Sequence, residues 1–125
     1  MSDIRVVVTG IGIISPVGLT TLATWDSLVN AKSGIARITA FDPAEFETTI
    51  AAEINDFDPE NYMDRKEARR ADRFSQLALA AAQEAVAQAG LEQEEPLGNR
   101  TSSLIASGVG GIITLSEQFD VLHEK

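Results

Sequence analysis

The 125-residue sequence contains no cysteine, which excludes a disulfide, a thiolate metal site and a thiol nucleophile from these residues. It holds one histidine, His123, close to the last residue, where a lone imidazole is expected to be a surface group without a catalytic role. Positive charge is scarce: 10 Lys and Arg stand against 19 Asp and Glu, a formal net charge of −9. A chain this acidic repels nucleic acid and anionic membranes as a whole. No apolar run approaches the roughly 18 residues of a membrane-spanning helix. The opening MSDIRVVVTG lacks the basic region, apolar core and cleavage site of a secretory signal, so a cytoplasmic protein is expected. The Gly-Lys-Ser/Thr triplet of a phosphate-binding P-loop is also missing.

What is present is ordinary globular material. Hydrophobic residues make up 44% and charged residues 23%, and the length suits one domain without an internal boundary. Residues 4–9 (IRVVVT) form a β-branched, nearly continuous apolar run, the pattern of a strand buried on both faces. The loop GIGIISPVG follows, and Thr20 then stands where it can cap a helix with Leu22, Trp25, Leu28 and Val29 at helical spacing. Ser33 and Gly34 are expected to end that helix. Residues 35–48 are expected to be mostly loop, 49–54 a short strand, and 56–59 a turn.

Residues 64–73 are charged and helix-permissive. Phe74, Leu77, Ala78, Ala81, Ala85, Val86 and Ala89 mark one face of a further helix that Gly90 terminates. Its alanines imply close packing against another element. An acidic loop is expected over 92–99, a second buried strand over 101–107 (TSSLIAS), then Gly108, Val109, Gly110 and Gly111, and a helix from about Ile112. Strands alternating with helices point to an α/β layered fold with a largely parallel sheet. The helical pattern IITLSEQFDVLHEK runs to the last residue without a stop signal, which looks like a truncation.

Two loops invite a nucleotide-binding reading because each follows an expected strand. Gly10 and Gly12 begin a dinucleotide fingerprint, but Ser15 occupies the third position and Pro16 follows it. Neither Asp26 nor Asp42 sits at the end of a second strand, where the ribose-binding acid belongs. The plainer reading is a tight strand-to-helix connection whose glycines allow positive φ.

Five of the ten basic residues, Arg65, Lys66, Arg69, Arg70 and Arg73, lie within nine positions. On a continuous helix, Lys66, Arg69, Arg70 and Arg73 fall at i, i+3, i+4 and i+7 and make one cationic stripe. On so acidic a chain the stripe attracts an anionic partner locally. A solvated helix face stitched by i,i+4 pairs is the alternative. With no aromatic residue interleaved and the remaining charge strongly acidic, nucleic acid is a poor fit as that partner.

Taken together, the blocks VVVTGIGIISPVG, SGI at 33–35, FDP at 41–43, DRKEARRADRFSQLALAAAQEA at 64–85 and IASGVGG at 105–111 resemble the opening of β-ketoacyl-acyl carrier protein synthases, particularly type II. They occur in that family's order and cover essentially the whole chain. The resemblance implies part of the first half of a thiolase-like fold in five layers, α-β-α-β-α, in a protein that is a homodimer when full length. It implies an acyltransferase of fatty-acid elongation that performs a decarboxylative condensation. Such an enzyme needs no cofactor of its own, because the acyl groups ride on the phosphopantetheine of acyl carrier protein, a very acidic partner.

The resemblance also assigns carrier-protein docking to Lys66, Arg69 and Arg70, with Arg73 extending the surface. It places Gly108, Val109 and Gly110 beside the acyl pocket, with Val109 as an apolar wall smaller than the isoleucine of some relatives. The family's nucleophilic cysteine and two histidines match no residue here. The chain itself is therefore expected to be inert, and, with an unpaired strand edge, marginally stable or aggregating. A ketosynthase domain of a polyketide assembly line, a decarboxylase-like relative, and a self-contained module that docks an acidic protein remain the alternatives.

Overall fold

A computed structural model describes residues 4–91 and 101–124. The acidic loop expected over 92–99 lies outside the described residues. The elements are α1 (Thr21–Val29), β1 (Ile35–Arg37), β2 (Ile50–Ala52), a 3-10 turn (Pro59–Asn61), α2 (Arg65–Ala68), α3 (Arg73–Gln88) and α4 (Ile112–His123).

α3 is the axis of the assembly. Its 16 residues run from Arg73, after the N-cap Asp72, to Gln88. Just beyond them Gly90 takes φ +70, the left-handed terminator that glycine supplies at little cost. The expected face, from Phe74 to Ala89, is half-buried, and Ala80 is 1% exposed. The segment through Gly10 and Gly12 lies directly on it. A Cβ on Gly12 would sit 1.8 Å from the Ala81 carbonyl oxygen, and one on Gly10 would sit 2.0 Å from that of Ala85. Neither glycine has positive φ. Their role is therefore close backbone approach, which corrects the expectation that they serve a left-handed turn.

Polar groups lock that contact. Gln88 Oε1 accepts the Ile11 N–H at 2.6 Å, and the Glu84 carboxylate accepts the N–H groups of Ile13 at 2.9 Å and Thr21 at 2.8 Å. α1 is thus tied to α3 through its first residue. Thr20 caps α1 as expected by accepting the Ala23 N–H. The buried residues of α1 are Thr24 and Ser27, whose hydroxyls donate to the carbonyls of Gly18 and Val17. The apolar stripe faces outward, with Leu22 81% and Trp25 64% exposed. α1 stops at Val29, before Ser33 and Gly34, because the Asn30 side chain folds back on the Asp26 carbonyl and Ala31 turns left-handed.

Partial burial alone raises the Glu84 carboxyl. The Ile13 and Thr21 N–H groups and the Thr21 hydroxyl outweigh it and hold the group below its ordinary value of 4.5. A lowered folded-state value means stability that is present above the unfolded value and lost as pH falls through the folded one. Acidification below 4.5 is therefore expected to loosen the 11–13 segment, and Glu84→Gln to flatten that dependence. Amide exchange at Ile13 and Thr21, followed against pH, checks both.

The sheet differs from expectation. Among the described residues, β1 and β2 form a two-stranded antiparallel pair, with Ile35 opposite Ala52 and Arg37 opposite Ile50. Glu53 ties the loop between them by accepting the Thr39 hydroxyl and the N–H groups of Thr39 and Ala40. The expected parallel strands over 4–9 and 101–107 are not formed, and Val6 and Leu104 are 93% and 96% exposed. An apolar β-branched run states what a segment would bury, whereas a strand exists only beside a hydrogen-bonded neighbour. The accessible surface, 10568 Å², compares with roughly 6,500 Å² for a closed globule of this mass. Much apolar surface is therefore left without a partner inside the chain.

Candidate docking turn and glycine loop

Asp64 and Asp72 each start a helix, and the residues between them become a turn rather than one continuous helix. The Asp64 carboxylate accepts the N–H groups of Lys66 at 2.8 Å and Glu67 at 2.9 Å, the usual N-cap arrangement. α2 lasts four residues, and Arg69 is its C-cap. The single stripe expected across 66–73 is accordingly divided.

Arg65, Lys66, Arg69 and Arg70 surround a shallow cavity of about 400 Å³. Arg65 Nε stands 3.6 Å from a Glu60 carboxylate oxygen. Lys66, Arg69 and Arg70 are exposed and make no ion pair among the described residues. Three uncompensated cations on one turn of a chain of net charge −9 form a local positive field that long-range attraction can use.

Arg73 belongs to a different arrangement. Its guanidinium lies 4.8 Å from the centre of the Phe57 ring and donates to the carbonyls of Ile54 at 2.8 Å and Phe57 at 3.4 Å. Phe57 is buried and stacks on Tyr62 at 5.3 Å. Arg73 therefore anchors the start of α3 to the 3-10 region and does not line the cationic cavity. Arg65, which the sequence shows only as one charge in a run, takes the fourth place there.

The glycine loop sits on the other side of the same turn. Gly110 has φ +73 and faces the Phe74 ring, and its N–H donates to Ser107 Oγ at 2.9 Å. A Cβ on Gly111 would stand 2.3 Å from an Asp72 carboxylate oxygen. Asp72 makes no side-chain cap bond to α3; it accepts the Thr114 hydroxyl instead and so joins the start of α3 to the start of α4. Ala71, Asp72, Phe74, Leu77, Gly110 and Ile113 are among the residues lining a second cavity of about 410 Å³. Gly108 and Val109 are outside that lining, and Val109 is exposed. His123 lies in the last turn of α4, exposed. No described helix is long and apolar enough to cross a membrane.

Asp72 thus stands between the cationic turn and the glycine loop, on a scaffold of mixed helices and strands. The chain belongs to the β-ketoacyl synthase family, whose N-terminal domain it matches over residues 3–125. It is 40% identical over 123 residues to 3-oxoacyl-acyl-carrier-protein synthase 2 of Staphylococcus aureus, covering 98% of this chain and 29% of that protein. The enzymes of the same name from Coxiella burnetii and Vibrio harveyi are 41% and 42% identical, covering 98% and 100% of this chain and 30% of each relative. The chain thus spans about 30% of the length of these curated relatives. Among solved structures, the ishigamide ketosynthase/chain length factor superposes with a TM-score of 0.61 at 36% identity, over 67% of this chain and 21% of that one.

Proposed function

We propose that these residues are the opening portion of a 3-oxoacyl-acyl carrier protein synthase, the acyltransferase that condenses an acyl group with malonyl-acyl carrier protein during fatty-acid elongation. The observation that carries this is the family match across residues 3–125, together with identities of 40–42% to three enzymes of that name. In the complete enzyme the layers would be α-β-α-β-α and the assembly a cytoplasmic homodimer. The exposed apolar stripe of α1 and the exposed runs at 4–8 and 104–105 support further packing of this kind.

Within this portion, Lys66, Arg69 and Arg70, with Arg65 beside them, receive the acidic acyl carrier protein. The loop holding Gly108, Val109 and Gly110 lies toward the acyl chain. The condensation needs a nucleophile to take the acyl group and hydrogen-bond donors for the enolate oxyanion. No cysteine is present and His123 is exposed, so neither role is assigned here.

The test is a condensation assay on the product of the whole reading frame that contains these residues, supplied with acyl- and malonyl-acyl carrier protein. A 3-oxoacyl product with matching release of carbon dioxide is the expected result. Intact substrates after prolonged incubation would overturn the reading.

A further inference from the structure

The basic side chains of the cationic turn project from a helix of only four residues and the turn that follows it. A helix of four residues is below the length at which isolated helices persist. The N–H groups of Arg69 and Arg70 bond the carbonyls of Arg65 and Glu67, but the Ala68 carbonyl has no backbone partner among the described residues. The structure supplies one from outside. The Gln76 side-chain nitrogen donates to the carbonyl of Ala68 at 2.8 Å and to that of Ala71 at 3.1 Å. These two carbonyls flank Arg69 and Arg70. Both acceptors are carbonyl oxygens, so they require the amide nitrogen of Gln76, not its oxygen, at this position. Gln76 is half-buried on the second turn of α3, where its own N–H bonds the Asp72 carbonyl at 3.0 Å. A single carboxamide thus refers the turn to the longest helix among the described residues.

We propose that Gln76 is a positioning residue for partner docking: by clasping the carbonyls of Ala68 and Ala71, it fixes the backbone from which Arg69 and Arg70 meet an acidic partner. This rests on the reading of the turn as the carrier-protein surface. Gln76 carries no charge and is separated from the basic run, so no sequence signal marks it. Its contribution is preorganisation. Long, unpaired Arg and Lys side chains lose freedom when they dock, and a backbone already held in place reduces what remains to be ordered.

The test uses Gln76→Met, which removes both donated bonds while keeping side-chain length, helix preference and net charge. Binding of the product of the whole reading frame that contains these residues to immobilised holo acyl carrier protein is followed kinetically as a function of salt, beside Arg69→Ala/Arg70→Ala in the same protein. The charge variant is expected to lower the association rate and the salt dependence. Gln76→Met is expected to leave both nearly unchanged and to speed dissociation roughly 3- to 10-fold. On the Arg69→Ala/Arg70→Ala background it should add little, because groups acting through one another are not additive. Amide exchange should accelerate at Arg69, Arg70 and Ala71, but not in the middle of α3.

A wild-type dissociation rate in Gln76→Met would overturn the inference and leave the docking reading intact. So would a loss that persists in full without the two arginines. Unchanged binding by Arg69→Ala/Arg70→Ala would instead remove the docking reading itself, and this inference with it.

Discussion

Gly12→Ala is expected to detach the first glycine loop from α3. The new methyl would lie 1.8 Å from the Ala81 carbonyl oxygen and 2.7 Å from its carbon. Both atoms belong to a helix backbone, which cannot swing aside as a side-chain tip does. Overpacking of a well-filled site costs about 1–3 kcal/mol and occasionally more; with main chain on both sides, the upper end applies. Separation of the two segments also breaks the bonds from Ile11 to Gln88 and from Ile13 to Glu84. Amide exchange at Ile11 and Ile13 should therefore approach that of an open chain, with a lower urea midpoint. Gly108→Ala is the matched control, because a Cβ there meets nothing within 4 Å and its φ is not positive. Equal behaviour of the two variants would show that Gly12 is not held against α3.

The second large effect concerns association. Arg69→Glu/Arg70→Glu changes the formal charge by −2 at each position, taking the chain from −9 to −13, and does so at the turn rather than diffusely. Like charges brought together at an interface cost several kcal/mol, so carrier-protein affinity is expected to fall roughly 100-fold at low salt. The difference should shrink as salt rises and the screening length falls from about 10 Å at 0.1 M to about 3 Å at 1 M. Arg37→Glu, on β1 and next to Asp42 at 4.0 Å, separates position from net charge: it should alter binding far less. Stopped-flow association rates measured across a salt series decide the matter. Similar losses per reversed charge in both proteins would mean that the turn is not the docking surface.

What the sequence made readable was local. Thr20 caps α1 and Gly90 ends α3, because each depends on residues within one or two turns of chain. The periodicity of α3 likewise marked its half-buried face, though not the segment that covers it. The elements that depended on distant partners were not readable. Residues 4–9 have the composition of a strand without a neighbour to complete a ladder, and the Leu22–Trp25 stripe of α1 faces outward. The division of the cationic run did carry a sequence signal: Asp64 and Asp72 are both N-cap residues, and the second starts a new helix where periodicity alone continues the old one. Arg73 shares that run but is bound to Phe57, 16 positions earlier, a contact no periodicity contains. The glycines at 10 and 12 show the same division. Glycine serves equally for positive φ and for close approach, and only the position of α3 tells them apart.

The seat of the first glycine loop on α3 also sets an order of events during synthesis. Its hydrogen bonds join residues separated by 77 and 71 positions. Translation proceeds at about 5–20 residues per second, so the first loop is made roughly 4–15 seconds before the helix that receives it. During that interval the N–H groups of Ile11 and Ile13 lack the side chains that accept them, and closing so long a loop carries an entropic cost of its own. Completion of α3, rather than of the loop itself, would therefore pace the seating of residues 10–13.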